Sequence, residues 1–312
     1  MVSIFQAEYL KRMKVQPMTA SRGMKMRQKL QISWDIPTKD TKLKQFKRYL
    51  RDQGARQSTI DDYMARVGRY IEFCGKHQPS PEMAQNFRDS LMDRELSRST
   101  INNTCFAMKN FHKMLGQDVK FPFLKRSNTI PYYFTSDEVS KIFDQINNIK
   151  HLAMFKTAFY GCLRASELCN LDMEDVNLDR LSLKVRDGKG GKTAMVYLSE
   201  DAAETLRDYI ALRPDLNLKG HRPLFYTDFG GWYDRKEIYR LVIYYKEKAG
   251  ITKKGGAHVL FRHTPASLMV QNGCDLLTIQ HVLRHNDINT SMRYLHLAED
   301  TKRLKYDKFL KL

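Results

Sequence analysis

The sequence predicts a mainly α-helical protein of two domains, with a small antiparallel β-sheet in the second. Three observations predict this fold class. Apolar residues recur at three- and four-residue spacing along most of the chain, which is the period of a helix packed on a core. A proline-containing segment without such a period, 119–133, separates two helical regions and is the predicted linker. Short apolar runs around 181–198 flank a glycine-rich turn, as in a β-hairpin.

The charge of the chain favours a polyanionic partner. The 312 residues include 53 Lys and Arg against 35 Asp and Glu, a formal net charge of +18. Such an excess repels itself unless a polyanion such as nucleic acid neutralises it. Residues 1–37 form a basic arm, which either contacts DNA or is a tail without a role. Charge alone fits a merely basic soluble protein equally well.

The first domain, 38–118, is predicted to contain four short helices. Ser58 can cap the second helix, and Ser80 followed by Pro81 begins the third. Ser97 or Ser99 begins the fourth. Four short helices in one domain predict a compact bundle.

The second domain, 134–312, begins with a capping box formed by Thr135 and Glu138. A helical stretch over 150–171 precedes the predicted hairpin at 181–198. The remainder is predicted to be helical, so the domain is mostly α with one small sheet.

Cysteine spacing and hydropathy argue against several protein classes. The five cysteines form no Cys-x-x-Cys pair, so we expect reduced thiols rather than a zinc site. No apolar run resembles a signal peptide or approaches the ~18 residues of a membrane span. We therefore expect an intracellular, soluble protein with no membrane partner.

Four segments of the second domain contain residues suited to phosphodiester chemistry. That chemistry needs a nucleophile, cations for the non-bridging oxygens and an acid for the departing sugar oxygen, and it needs no metal or cofactor if the protein supplies all three. Guanidinium groups suit the oxygens because they bind phosphate bidentately and stay charged. The candidates are Arg164 in Leu-Arg-Ala-Ser-Glu-Leu, Lys189 in Gly-Lys-Gly, His258 and Arg262 in His-Val-Leu-Phe-Arg-His-Thr, and His285 with Tyr294 nine residues after it.

These motifs, in this order, resemble those of the tyrosine recombinase (phage integrase) family, with the closest likeness to Xer-type and archaeal integrase-like members. The resemblance implies a SAM-like core-binding domain followed by a catalytic domain, together forming a C-shaped clamp on DNA. It also implies that Tyr294 is the nucleophile, that Arg164 and Arg262 bind the scissile phosphate, and that Lys189 protonates the leaving 5′-oxygen. His285 would hydrogen-bond the phosphate or assist proton transfer, and His258 would fill the role of the histidine in the family's His-x-x-Arg motif.

Each assignment has an alternative within the sequence. Arg164 could pair with Glu167 or Glu174, and His285 could be packed at a helix start. Lys184 or Lys192 could replace Lys189. Tyr306 is the neighbouring rival of Tyr294.

Two positions depart from the family pattern. The family's histidine precedes its arginine by three positions, whereas His258 precedes Arg262 by four. Either the helix bulges to restore His258, or Val259 occupies the histidine position. Arg284 stands before His285, where the family usually has glycine; it could add a phosphate contact or alter the backbone.

The resemblance implies site-specific DNA recombination, whether integration, excision or dimer resolution. The reaction would be a metal-free transesterification through a 3′-phosphotyrosyl intermediate and a Holliday junction, catalysed by a homotetramer on double-stranded DNA. The resemblance also implies a cytoplasmic, nucleoid-associated location. It is compatible with accessory DNA-bending proteins and with the host of a mobile element or virus. The C-terminal tail would dock on a neighbouring protomer or fold back on its own domain. The alternatives are a type IB-like topoisomerase and a catalytically weak DNA-binding accessory protein.

Overall fold

The computed structural model describes residues 39–125, 132–186, 193–294 and residue 306. The basic arm 1–37, the turn that carries Lys189 and most of the C-terminal tail lie outside the described residues. The chain divides into two compact units, Met1–Arg126 and Ser127–Leu312. The predicted fold class, mainly helical with a small antiparallel sheet, is confirmed.

Four helices make up the described part of the first unit, and their apolar faces pack into one core. They are α1 (Lys39–Asp52), α2 (Gln57–Cys74), α3 (Pro81–Asp93) and α4 (Arg98–Met114). Ser80 and Ser97 cap α3 and α4 by accepting backbone N–H groups, so α4 begins after Ser97 and not after Ser99. The prediction for Ser58 is wrong, because Ser58 lies inside α2, which begins at Gln57 after an extended Arg56 with no side-chain cap.

The chain beyond α4 packs against this same unit as far as residue 125. Val119 and Phe121 are 2% and 7% exposed within the helical core. Asn102 exchanges two hydrogen bonds with the Leu124 backbone, donating to its carbonyl at 2.8 Å and accepting from its N–H at 3.0 Å. Part of the predicted linker 119–133 is therefore a packed extension of the first unit, since its apolar residues lack helical period but are still buried.

The second unit combines helices with a small sheet that packs one face against the core. Its helices are α5 (Ser136–Asp144), α6 (Ile149–Tyr160), α7 (Ala165–Cys169), α8 (Glu200–Leu212), α9 (Arg235–Lys248), α10 (Thr264–Gln271), α11 (Leu276–Leu283) and α12 (Asn289–Met292), with a 3₁₀ turn at Met173–Asp175 and a π-helix at Val259–His263. The predicted capping box is present, since Thr135 and Glu138 bond each other's backbone N–H groups. In the described part of the chain, none of these helices is long and apolar enough to cross a membrane.

The sheet formed by the described residues has three antiparallel strands in the order β1-β2-β3. The strands are β1 (Val176–Asn177), β2 (Ser182–Val185) and β3 (Ala194–Tyr197). Leu183 pairs with Val176 on one side and Val196 on the other, so the predicted hairpin gains a short third strand. Leu183, Val185 and Val196 are buried in the core of the unit.

The predicted helical stretch 150–171 is divided into α6 and α7. A side chain at Gly161 would approach the Thr157 carbonyl at 2.9 Å, and Cys162 has a left-handed φ of 46°. Helical hydrogen bonding cannot continue through a left-handed residue. Arg164 therefore lies at the N-terminus of α7, and its prediction as a residue inside a helix is wrong.

Candidate active site

The π-helix places His258 beside the arginines of the site. The N–H of Thr264 bonds the carbonyl of Val259, five residues earlier, so one extra residue is held in a widened turn. This is the bulge that the sequence left open as one of two arrangements. His258 lines a pocket with Arg164 and Arg262, whereas Val259 packs partly buried against the core. Desolvation in this pocket, followed by the charges of Arg262 and Arg164, lowers the pKa of His258 to about 4.

Arg262 is held in place by two backbone carbonyl groups. Its side chain donates one hydrogen bond to the Cys162 carbonyl at 2.7 Å and another to the Leu283 carbonyl. The residue is 2% exposed, and burial, with the nearby Arg164 and Arg284 charges, lowers its pKa to about 10. Arg262 thus remains a cation at neutral pH and is fixed in orientation before any ligand binds.

Arg164 pairs with Glu167, one of the two carboxylates considered from the sequence. Its guanidinium contacts one Glu167 oxygen at 2.5 Å, and its backbone N–H contacts the other at 2.9 Å. A quarter of the Arg164 side chain remains exposed, at the wall of the pocket. Burial alone would raise the pKa of Glu167, but the charge of Arg284 and the bonds from Arg164 outweigh burial and lower it. Arg164 can therefore pair with Glu167 and still face a ligand.

His285 is oriented by Ser291, a contact that the sequence analysis did not consider. The Nδ1 atom of His285 lies 2.8 Å from the hydroxyl of the fully buried Ser291. Desolvation, followed by the charges of Arg262 and Arg164, lowers the pKa of His285 to about 4. The imidazole is neutral at physiological pH, and its Nε2 atom is free of the Ser291 contact.

Tyr294 is buried with its hydroxyl 2.6 Å from Nδ1 of His263. Its side chain is 1% exposed and packs with Cys162 and Leu283, among others. Burial raises the pKa of Tyr294 to about 12, and burial also lowers the pKa of His263 to about 3. His263 is not among the residues predicted from the sequence, although it directly follows Arg262 and the motif therefore offered a second histidine.

One pocket of about 250 Å³ brings most of the candidates together. Its lining includes Arg164, His258, Arg262, His263, Arg284, His285, Arg293 and Tyr294. Lys189 lies outside the described residues, and Tyr306 is 60% exposed and does not line this pocket. Four arginines against one lining carboxylate, Asp287, make the pocket strongly positive. Among the described residues no group of three or more His, Cys, Asp and Glu is placed to hold a metal ion.

Family models match both units of the chain. The model described as the phage integrase family matches residues 132–301, and that of the phage integrase N-terminal SAM-like domain matches residues 43–118. The fold is that of enzymes that cleave and rejoin DNA strands in site-specific recombination. The chain belongs to the phage integrase family, the tyrosine recombinases.

Individual relatives agree with this assignment along most of the chain. Tyrosine recombinase XerA of Pyrococcus horikoshii is 30% identical over 275 residues, which cover 84% of this chain and 93% of the relative. The crystal structure of XerA recombinase covers 88% of this chain and 100% of its own, at 28% identity and a TM-score of 0.53. The structure of the XerH site-specific recombinase bound to palindromic difH substrate has the same fold, with a TM-score of 0.67 and 20% identity. The match covers 89% of this chain and 98% of the XerH chain.

Proposed function

We propose that this chain recombines double-stranded DNA at a specific site, with Tyr294 as the nucleophile. The Tyr294 oxygen attacks the scissile phosphorus, and the bond from phosphorus to the 5′-oxygen breaks. The 3′-phosphotyrosyl bond that forms conserves the energy of the broken bond, so rejoining needs no ATP. The 5′-hydroxyl of a partner strand then attacks this bond, releases Tyr294 and generates a Holliday junction.

Arg164 and Arg262 would stabilise the negative charge that develops on the non-bridging oxygens. Preorganised cations in a partly dry pocket lower a barrier strongly because they need no reorganisation during the reaction. Arg262 fits this role because its orientation is fixed by carbonyl groups. Neutral His258 and His285 would donate or accept hydrogen bonds at the same oxygens. Lys189 would protonate the departing 5′-oxygen.

One observation carries the proposal: Arg164, His258, Arg262, His285 and Tyr294 line a single pocket although they are up to 130 residues apart in sequence. Surface arginines and packed histidines would have no reason to converge in this way. The pocket has the charge for a phosphate and holds the side chain of a nucleophile.

A covalent capture experiment tests the proposal. A library of nicked duplexes with randomised sequence around the nick is incubated with the full chain in EDTA. Cleavage beside the nick releases a short 5′-hydroxyl strand, which diffuses away and traps the protein on DNA. We expect adducts that resist denaturation, enriched in one sequence, and none from Tyr294→Phe.

The matched control is Tyr306→Phe, which changes an exposed tyrosine of the same region. This variant should form adducts as the wild type does. Adducts that persist in Tyr294→Phe would refute the nucleophile assignment, and no adduct from the wild type would refute cleavage by this chain.

Assembly and partners belong to the same proposal. Recombination of two duplexes requires four cleavages, so we propose that the chain acts as a homotetramer on DNA. Accessory DNA-bending proteins and a location on the nucleoid are consistent with such a reaction.

A further inference from the structure

Arg284 adopts a backbone conformation that rarely suits an arginine. It ends α11 with φ 52° and ψ 48°, in the left-handed region. Glycine is the usual residue there because a Cβ atom is unfavourable in that region. A bulky side chain kept at such a position calls for an interaction that compensates for the strain.

The Arg284 guanidinium points into the protein. One nitrogen donates to the carbonyls of Gly161 and Val282 at 3.3 and 3.0 Å. The other donates to the Cys162 carbonyl at 3.0 Å and to a Glu167 carboxylate oxygen at 2.6 Å. The side chain is 12% exposed. Three of these four acceptors lie between the end of α6 and the first turn of α7, and the fourth belongs to α11 itself.

Glu167 connects Arg284 to Arg164. The carboxylate oxygen that accepts from Arg284 also accepts the backbone N–H of Arg164, and the other oxygen accepts the Arg164 guanidinium. The Glu167 side chain is 5% exposed, so water competes little with these two arginines for its carboxylate oxygens. Two guanidinium groups thus share one carboxylate.

This sharing has an electrostatic consequence. If Glu167 had only Arg164 as a partner, its full negative charge would oppose the binding of a phosphate at Arg164. With Arg284 on its second oxygen, the carboxylate is neutralised from the interior side. The charge of Arg164 is then left for a ligand in the pocket.

We propose that Arg284 is a positioning residue that fixes Glu167 and, through it, holds Arg164 oriented toward the scissile phosphate. The inference rests on the proposed function. It assigns Arg284 no contact with DNA. Arg284, the residue that departs from the family pattern before His285, thereby acts together with Arg164 and Glu167.

The test compares Arg284→Gly, Arg284→Lys and Glu167→Gln on the duplex that the covalent capture selects. Arg284→Gly removes the hydrogen bonds of the guanidinium and also relieves the backbone strain, because glycine suits the left-handed region. We expect the single-turnover cleavage rate at saturating DNA to fall about 10- to 100-fold, as for a small misplacement of a catalytic group. The Kd for DNA should stay within about threefold of the wild type. Arg284→Lys should cleave faster than Arg284→Gly, because a lysine retains the positive charge beside Glu167.

A double-mutant cycle tests the route through Glu167. In the Glu167→Gln background, Arg284→Gly should reduce the rate far less than it does alone, because the shared acceptor has lost its charge. Equal effects in both backgrounds would overturn the route through Glu167. Thermal unfolding of each variant identifies any that do not fold, and Arg284→Lys provides a second, milder change.

The matched control is Arg213→Gly, which removes another arginine that donates to a backbone carbonyl, that of Pro223. It should cleave at the wild-type rate. A folded Arg284→Gly protein that also cleaves at that rate would overturn the proposal. A weaker Kd with an unchanged rate would overturn it too, since it would make Arg284 a DNA contact. Failure of the wild type to form an adduct would instead refute the proposed function.

Discussion

At the scale of single residues, the proposed reaction requires the Tyr294 hydroxyl to reach a phosphate, although its side chain is 1% exposed and bonded to His263. Breaking one such hydrogen bond costs about 1 kcal/mol net, and exposing a side chain of this size costs about 1.5–3 kcal/mol. Specific protein–DNA contacts supply about 4–10 kcal/mol over non-specific binding. Binding of the cognate site can therefore drive the movement of Tyr294, and the four-residue helix α12 gives that segment few bonds to break.

The pocket histidines predict an acid-sensitive protein. His258, His263 and His285 have pKa values lowered to about 4, 3 and 4 from 6.5, so the unfolded chain binds protons in this range that the folded protein does not. The free energy of unfolding must then fall as the pH drops below about 6.5. We expect the Tm to decrease steadily between pH 6.5 and 4, and less steeply in His263→Gln.

Differential scanning calorimetry across this range measures the effect. The slope of Tm against pH should be smaller in His263→Gln than in the wild type. Identical slopes would mean that His263 does not titrate between the folded and unfolded states as its surroundings indicate.

At the scale of secondary-structure elements, the π-helix decides which side chain lines the pocket, His258 or Val259. We expect His258→Ala to lower the single-turnover cleavage rate by about tenfold or more, because a hydrogen-bonding group of the pocket is lost. Val259→Ala is the matched change at the neighbouring position. It should cost about 1–2 kcal/mol of stability and leave cleavage at the wild-type rate, measured on folded protein.

The reverse outcome is equally informative. If Val259→Ala impairs cleavage and His258→Ala does not, the bulge fails to restore the histidine when DNA is bound. The pocket would then contain an apolar residue where the resemblance implies a histidine.

The elements that the sequence predicts best are those set by local patterns. The starts of α3, α4 and α5 are set by Ser80, Ser97 and the Thr135–Glu138 box, whose side chains bond backbone N–H groups three residues away. These helix starts can therefore be predicted from a few neighbouring residues. The break after α6 depends instead on Cys162, a residue with no sequence signature for a left-handed backbone. Its carbonyl accepts from Arg262 and Arg284, which lie more than 90 residues away in sequence.

The candidate site shows the same division. Its catalytic residue types follow from motifs, and five of them line one pocket. The contacts that orient them do not follow from motifs. The motif contains His263 but not its bond to Tyr294, and the Leu283 carbonyl meets Arg262 only in the folded chain. The π-helix at Val259–His263 is an intermediate case. The sequence shows one extra residue between His258 and Arg262, but only the packing of the folded chain decides that this residue is held in a bulge.

At the scale of the whole molecule, the net charge of +18 predicts DNA binding that weakens steeply with salt. Each neutralised phosphate contributes a slope of about −0.9 to log K against log salt concentration. We expect a total slope of about −5 or steeper, corresponding to about six phosphates. Fluorescence anisotropy of a labelled duplex over a salt series measures it, and a slope near zero would exclude a large contact with the DNA backbone.

The way in which Arg262 is held bears on how this protein can evolve. Its two acceptors are main-chain oxygens of Cys162 and Leu283, and every amino acid has such an oxygen. Substitutions at those two positions change packing but cannot delete the acceptor. Arg164, in contrast, depends on the Glu167 side chain, which a single codon change can remove. Substitutions that alter the side chains at positions 162 and 283 therefore leave the two acceptors of Arg262 in place. Arg164 and Glu167 can change only together, because loss of either one removes the contact.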